Sequence, residues 1–263
     1  MKPFHLAVAA VSLALAFSSH AAEPASPLTA GELAARLSTL RQNGASYVRV
    51  KMDINGAKKE ALQLQIKERR SKNATDVVYQ VLWPKERKGE SVLLRKSGTR
   101  TASGSVFMPP NTLRTIDDLK GPLLGSDLSY EDVVEDFFAW ERQAIVGTEA
   151  VGGVSCQLLE SKPGKGERSS YGSVKSWIDT RRMVPLRVEK YSGSGQLIRR
   201  IDTTRVVSDA GHHIPANLTV SGARQGSSTE LDGTRIKHDV AFTDRDFTTD
   251  GIKEVVTPRG SQD

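Results

Sequence analysis

Apolar and polar residues alternate with a period of two over most of this chain, and no other feature limits its possible folds as strongly. In residues 48–54 every second residue is apolar, and Asn55-Gly56 then supplies a two-residue hairpin turn. Because successive side chains of a strand point to opposite faces, each such segment has one apolar and one polar face. Strands and helices do not alternate regularly, which disfavours a parallel α/β sheet. The pattern predicts about eleven antiparallel strands. The twelve candidate segments are residues 45–54, 62–66, 77–83, 88–94, 99–108, 143–149, 154–161, 171–179, 184–192, 196–207, 213–221 and 229–242.

Helical spacing is confined to two segments. The first begins at Thr29, which forms a capping box with Glu32 and precedes leucines at helical intervals. This helix is predicted to continue to about Gln42, where Asn43-Gly44 ends it.

The second helical segment follows Gly125, and Ser126, Asp127 or Ser129 can cap its start. Glu131 and Asp132 lie in its first turn, where the positive end of the helix dipole favours acidic side chains. We interpret these acids as helix-start electrostatics. The apolar side of the predicted helix consists of Val133, Val134, Phe137, Phe138 and Trp140.

The first 21 residues have the features of a signal peptide. Lys2 is followed by an apolar stretch over residues 6–17, and Ser19-His20-Ala21 has the spacing that signal peptidase recognises. No later apolar run approaches the ~20 residues of a membrane-spanning helix. We therefore expect an exported chain with one domain over residues 22–263, a core over about 45–248 and a loose tail after Thr248.

The charge balance and the single cysteine exclude some classes of protein. Removing Lys2, the only charged residue of the leader, leaves 36 basic against 31 acidic side chains, a net charge of +5. Basic residues cluster only at residues 67–72, where a strand end and turn are the better interpretation, so nucleic-acid binding is not expected. A weak attraction to anionic lipid headgroups remains compatible with this charge. Cys156 lies in an alternating segment, which predicts a small buried side chain and no internal disulfide.

The sequence contains no recognisable catalytic or cofactor motif. It has no nucleophile elbow, Walker loop or dinucleotide-binding glycine pattern, and we predict no cofactor. His212 and His213 are neighbours in a predicted strand and would point to opposite faces, so no metal site is predicted either. A hydrolase using Asp127, Glu131 and Asp132 is the enzymatic alternative, and it is disfavoured.

Several short motifs occur in a fixed order between about Tyr47 and Phe242. They are Lys88-Gly89, Phe107-Met108-Pro109 followed by Leu113-Arg114-Thr115-Ile116, Gly125-Ser126-Asp127-Leu128-Ser129-Tyr130-Glu131-Asp132, and Trp177-Ile178-Asp179 with Pro185 and Tyr191. Together they resemble the LolA-like outer-membrane lipoprotein-sorting protein family, in particular its larger branch, which is often associated with RND-type exporters. The resemblance implies an unclosed antiparallel β-barrel with a helical lid, located in the periplasm and without catalysis.

The apolar strand faces need a cover, and the residues alone leave two solutions open. One is an ordinary packed β-core; the other is a partly open barrel whose helices cover an apolar cavity. The resemblance favours the cavity and implies a carrier or chaperone for a lipoprotein, a lipid or another apolar molecule. The alternative is an adaptor subunit of an RND-type exporter without cargo of its own. Candidate ligand contacts are Trp83, Phe107, Met108, Phe137, Phe138, Trp140 and Trp177; the lid and family motif are Gly125, Ser126, Asp127, Ser129, Tyr130, Glu131 and Asp132.

Overall fold

A computed structural model describes residues 28–41, 44–209, 211–222 and 226–258 of the chain. These residues form thirteen strands and two α-helices, together with short 3-10 turns. The helices are α1 (Ala30–Arg41) and α2 (Tyr130–Val134). The strands are β1 (Gly44–Asn55), β2 (Glu60–Ser71), β3 (Ala74–Trp83), β4 (Ser91–Ser97), β5 (Ser103–Met108), β6 (Thr112–Thr115), β7 (Arg142–Val151), β8 (Val154–Lys162), β9 (Ser173–Asp179), β10 (Val184–Tyr191), β11 (Leu197–Asp209), β12 (His212–Ser221) and β13 (Ser228–His238).

All thirteen described strands belong to one antiparallel sheet that does not close on itself. Its order is β6-β5-β4-β3-β2-β1-β13-β12-β11-β10-β9-β8-β7, so that β6 and β7 are the two edges. The predicted unclosed antiparallel architecture is confirmed. The number of strands exceeds the prediction, partly because β6 has only four residues, all exposed, and therefore lacks an alternating pattern.

Residues 116–141 connect the two edge strands and cross one face of the sheet. We call these residues the crossing segment, and we call the face of the sheet that they cover the inner face. Its buried leucines, Leu123, Leu124 and Leu128, pack with apolar side chains of the central strands. The cluster also contains Val134 of the crossing segment and Val50, Met52, Ile54, Leu62, Leu64, Val77, Tyr79, Val81, Val92, Leu94 and Val220 of the sheet. The crossing segment therefore fills much of the concavity that an unclosed sheet leaves.

Helix α1 also packs on the inner face, over β8–β10 near the β7 edge of the sheet. The predicted capping box is present, because the Thr29 N–H and hydroxyl donate to Glu32 at 2.9 and 2.8 Å and the Glu32 N–H donates to Thr29 Oγ1 at 3.3 Å. Leu33 and Leu37 are fully buried against aromatic residues of the crossing segment and against β8–β10. The α1 prediction is confirmed up to Arg41; Gln42 lies outside the described residues.

The second predicted helix is much shorter than the sequence indicated. Helix α2 ends at Val134, because Glu135 has an extended backbone with ψ 137°, and a separate 3-10 turn, Phe137–Ala139, follows. The Glu135 carboxylate pairs with Lys96 of β4, which ties the chain to the sheet at the point where a continuous helix would turn away. The second helix of the predicted lid is thus a single helical turn within a mostly irregular segment.

The outer face of β3–β5 is covered by residues 239–258, which we call the C-terminal strap. Phe247 and Ile252 are fully buried there against Val78, Leu93 and Phe107. The sequence predicted a loose tail after Thr248, but Ile252 and Pro258 of this tail are buried. Polar strand residues hold its backbone, and these contacts could not be inferred from hydropathy.

Two further expectations concern the cysteine and membrane-spanning helices. Cys156 is buried, as predicted, and burial raises the pKa of its thiol, which disfavours the reactive thiolate. Among the described residues, the helices are all too short or too polar to cross a membrane.

Candidate functional site

The crossing segment is held to both halves of the sheet by buried carboxylates. Gly125 at φ +90° and Leu124 at φ +52° make the sharp bend that starts this polar stretch. Glycine adopts this left-handed backbone without the steric cost of a Cβ atom. From Asp127 onward each acidic side chain meets a different part of the fold.

Asp132 is the centre of a buried ion cluster. Its side chain is 0 % exposed; Lys190 Nζ lies 2.8 Å from Oδ1, and Arg199 Nη1 contacts Oδ2. The Tyr171 hydroxyl donates to Oδ1 at 2.8 Å, and the Ser129 N–H donates to Oδ2 at 2.7 Å. Burial alone would raise the pKa of Asp132, but the charges of Lys190 and Arg199 outweigh it and hold the pKa below its usual value.

Aromatic rings surround the cation of this cluster. Lys190 Nζ lies 5.3 Å from the Phe137 ring centroid and 5.1 Å from that of Tyr171. These distances are within the range of cation–π attraction. Burial raises the pKa of the Tyr171 hydroxyl, so that it remains a hydrogen-bond donor to Asp132.

Asp127 and Glu131 bind separate sets of donors. Asp127 accepts hydrogen bonds from Ser227 Oγ at 2.6 Å and Thr229 Oγ1 at 2.9 Å, beside and on β13. Glu131 accepts from Ser169 Oγ at 2.6 Å and from the Ser170 N–H at 2.9 Å. Helix-start electrostatics is therefore an incomplete interpretation of these acids, because their main partners lie on distant segments. Tyr130, the remaining residue of the motif, is half-buried and packs against the inner-face cluster.

These carboxylates do not form the shared site that a hydrolase would need. The hydrogen-bond donors described above differ for Asp127, Glu131 and Asp132. In the part of the chain that the structure describes, no three His, Cys, Asp or Glu residues are grouped to hold a metal ion. The contacts of the three carboxylates attach the crossing segment to other parts of the fold.

A cleft of about 740 Å³ lies where the end of the crossing segment meets α1 and the β2–β3 and β4–β5 turns. Its apolar wall includes Ala34 and Ala35 of α1 and Val134, Phe138 and Trp140 of the crossing segment. Charged side chains of both signs line the remainder: Arg70, Lys72, Lys96, Glu135, Asp136, Glu141 and Glu167. This volume is within the range of ligand-binding pockets.

Three of the seven candidate aromatic and apolar residues lie together beside this cleft. The ring centroids of Phe137 and Phe138 are 4.4 Å apart, and those of Phe137 and Trp140 are 6.3 Å apart. Trp140 Nε1 donates to Glu135 Oε1 at 3.1 Å, and Glu135 pairs with Lys96. The three rings pack under α1, and Phe138 and Trp140 also line the cleft.

The other four candidates lie elsewhere. Trp83 is 51 % exposed at the end of β3, and Met108 is half-buried at the end of β5. Phe107 packs under the C-terminal strap. Trp177 is buried in a cluster with Cys156, and its Nε1 donates to Glu149 at 2.8 Å. The structure does not bring these four to the cleft, and a ligand contact for any of the seven remains a prediction.

Sequence reasoning missed the cationic partners, although the pattern contained a signal for them. Lys190 comes two residues after the buried Val188, and Arg199 two residues before Ile201, which packs on the inner-face clusters. Each cation thus occupies an inward position beside an apolar residue of the same strand face, and the two are paired in the β10–β11 register. A buried cation needs an anionic partner, and that requirement could have predicted a carboxylate over these strands.

Comparisons with known proteins agree with the fold. A family model whose description is an uncharacterized protein matches residues 73–254, more than half of the chain. A search of curated proteins found no match. A DUF1329 family protein from Desulfovibrio piger is similar in structure, with 23% identity, a TM-score of 0.78 and coverage of 85% of this chain and 97% of that one.

Two further solved structures are similar to this chain. A domain from Vibrio parahaemolyticus described as an outer membrane lipoprotein-sorting protein has 19% identity, a TM-score of 0.76 and coverage of 86% of this chain and 98% of its own. A LolA superfamily protein from Nitrosomonas europaea has 19% identity, a TM-score of 0.67 and coverage of 85% and 99%. The chain belongs to the family whose model matches residues 73–254, and its fold is that of the LolA-like outer-membrane lipoprotein-sorting proteins, as the sequence motifs predicted.

Proposed function

We propose that this protein is a non-enzymatic periplasmic carrier that shelters an acyl chain of a lipid or lipoprotein on its way to the outer membrane. The observation that carries the proposal is the cleft between α1 and the crossing segment, with its apolar wall and charged rim. The name of the Vibrio parahaemolyticus domain, which refers to outer-membrane lipoprotein sorting, supports the same class of cargo.

The physical basis of binding would be burial of methylene groups against the cleft wall. Each methylene removed from water contributes about 0.8 kcal/mol, so an acyl chain that covers Ala35, Phe138 and Trp140 would be sheltered from water after it leaves a membrane. Charged residues at the rim, such as Lys72 and Glu167, offer polar partners to a headgroup. The buried carboxylates hold the crossing segment, and therefore one wall of the cleft, in place.

Filling the cleft from α1 should weaken acyl-chain binding. Ala35 is an exposed α1 residue that lines the cleft, and its neighbour Arg36 is exposed but does not line it. We expect Ala35→Trp to weaken binding of a fluorescent fatty-acid probe by about tenfold, or about 1.4 kcal/mol. Arg36→Trp, which adds the same ring at the adjacent position, should leave the affinity unchanged.

Both substitutions cost about 0.5 kcal/mol of helix propensity, so the comparison separates cleft occupancy from stability. Mass spectrometry of lipid extracted from the gently purified wild-type protein is the complementary measurement. Wild-type protein that contains no lipid and binds no acyl probe would refute the carrier proposal, as would equal affinities of the two tryptophan variants.

The proposed membrane partners are an RND-type exporter in the inner membrane and an acceptor at the outer membrane. The adaptor alternative makes a different prediction for the cleft-filled variant. A carrier needs its cleft to deliver cargo, whereas an adaptor without cargo would form its exporter complex and support export equally well with Ala35→Trp.

A further inference from the structure

Strand β7 is an edge strand of the described sheet, and most of its residues are exposed. It pairs with β8 on one side and is the last strand of the described sheet on the other. Residues 144–150 are all exposed, including Ile145 at 37 % and Val146 at 47 %. Residues 143–148 carry no charge, although charged residues are the usual protection of a sheet edge.

The opposite edge is protected in the ways that natural sheets use. Strand β6 has four residues, one of which is Arg114, and Pro109-Pro110 precedes it. A short strand, a charge and nearby prolines all limit pairing with another strand. The two edges therefore differ, and only β7 offers a long uncharged ladder of backbone groups.

The β-bulge in β7 places two opposite charges on the same face. The register with β8 shifts between Ile145 and Gly147, so that Arg142 lies opposite Lys162 and Glu149 lies opposite Cys156. Lys162 and Cys156 are six residues apart in β8 and share a face, and therefore Arg142 and Glu149 do too. In an uninterrupted strand, residues seven apart would lie on opposite faces.

We propose that β7 pairs antiparallel with β7 of a second copy of this chain, about a two-fold axis between Ile145 and Val146. This register sets Arg142 of each copy opposite Glu149 of the other, and Ile145 opposite Val146. Directly opposed side chains must share a face, and the bulge is what allows Arg142 and Glu149 to meet this condition. Opposite charges and paired apolar side chains both stabilise adjacent strands.

Neighbouring registers lack this complementarity. A shift of one residue opposes side chains that point to opposite faces, and a shift of two places Arg142 opposite Gly147 or Val151, so neither pairs the charges. The self-complementary charge pattern is the reason to assign the edge to a second copy, because a C2 interface uses the same surface on both subunits. The bulge lies at the proposed axis and is shared symmetrically.

Arg142 and Glu149 both retain hydrogen-bonding atoms that can contact the second copy. Arg142 donates through Nε and Nη2 to the Pro163 carbonyl oxygen, at 3.1 and 2.7 Å. Glu149 accepts from Trp177 Nε1 through Oε2. Within the described residues, Nη1 of Arg142 and Oε1 of Glu149 have no hydrogen-bond partner in the structure.

Sedimentation equilibrium of the full mature chain tests the proposal. We expect a concentration-dependent dimer whose dissociation constant rises at least tenfold in Val146→Lys. The matched control is Leu113→Lys on β6, where the original side chain is 42 % exposed, and its dissociation constant should equal that of the wild type. Circular dichroism verifies that both variants are folded.

A charge swap tests the register independently. Arg142→Glu alone should weaken the dimer, and Arg142→Glu combined with Glu149→Arg should restore it to within a few-fold of the wild type. A protein that stays monomeric at every accessible concentration would overturn the proposal, and so would equal effects of Val146→Lys and Leu113→Lys. Failure of the double variant, if folded, to recover dimerisation would overturn the assigned register.

Discussion

Replacement of Asp132 with alanine is expected to lower the free energy of unfolding by about 3–5 kcal/mol, the usual cost of removing one partner of a buried ion pair. The carboxylate is 0 % exposed and the Lys190 side chain 2 %, so the variant would leave a buried ammonium without its anion. Arg199 and Tyr171 would lose the same partner. Urea unfolding followed by tryptophan fluorescence measures the difference.

An exposed ion pair provides the control. Arg245 and Glu254 are 2.9 Å apart, and their side chains are 67 % and 59 % exposed. Glu254→Ala should change the unfolding free energy by less than about 1 kcal/mol. If Asp132→Ala costs no more than Glu254→Ala, the buried cluster does not stabilise the crossing segment. Combining Asp132→Leu with Lys190→Met and Arg199→Met removes all three charges of the cluster and should recover much of the loss.

The same cluster predicts a pH dependence. The folded pKa of Asp132 is held below its ordinary value of 3.8, so at low pH the unfolded chain binds a proton that the folded chain does not. The contribution of Asp132 to the free energy of unfolding is therefore fully present above about pH 4. It is lost as the pH falls through the pKa of Asp132 in the folded protein. The difference in unfolding free energy between wild type and Asp132→Asn should shrink below pH 4. A difference that stays constant on acidification would contradict the assigned charge state.

The fold was predictable because the evidence for it is local. Period-two alternation identifies a strand from a few consecutive residues, and the Thr29–Glu32 capping box identifies the start of α1 in the same way. Strand β6 escaped detection because four exposed residues have no buried face to alternate with. The early end of α2 escaped detection because Lys96, which pairs with Glu135, is 39 residues away in sequence.

The candidate site was predictable only in part, because many of its contacts join residues that are far apart in sequence. Phe137, Phe138 and Trp140 were grouped correctly because they are close in sequence, although no continuous helix joins them. The partners of Asp132 come from the loop before β9, from β10 and from β11, and only the folded sheet brings them together. The family motif from Gly125 to Asp132 was identified before its role, which is to attach the crossing segment across the sheet.

Replacement of Phe247 with alanine should also produce a large loss, about 3–5 kcal/mol. The ring is fully buried beneath the C-terminal strap, and the Phe242 ring packs on it edge-on with centroids 5.3 Å apart. The Arg69 guanidinium lies 4.7 Å from its centroid. Removal of the ring leaves a cavity against Val78 that a short strap cannot fill by relaxation.

The contacts of the strap indicate how this loss should appear in hydrogen exchange. The Gln80 side-chain amide donates to the carbonyl oxygens of Ile252 and Glu254, and that of Gln65 donates to the Val256 carbonyl. These bonds depend on the strap staying in place, so Phe247→Ala should accelerate amide exchange in residues 239–258 before exchange in the central strands changes.

The control is Val256→Ala, whose side chain is 48 % exposed and which should change stability by less than about 0.5 kcal/mol. Equal stabilities of the two variants, with unchanged exchange in the strap, would mean that the strap does not stabilise the sheet. Faster exchange confined to the strap, with global stability retained, would instead show that the strap opens as a separate unit over an independently stable sheet.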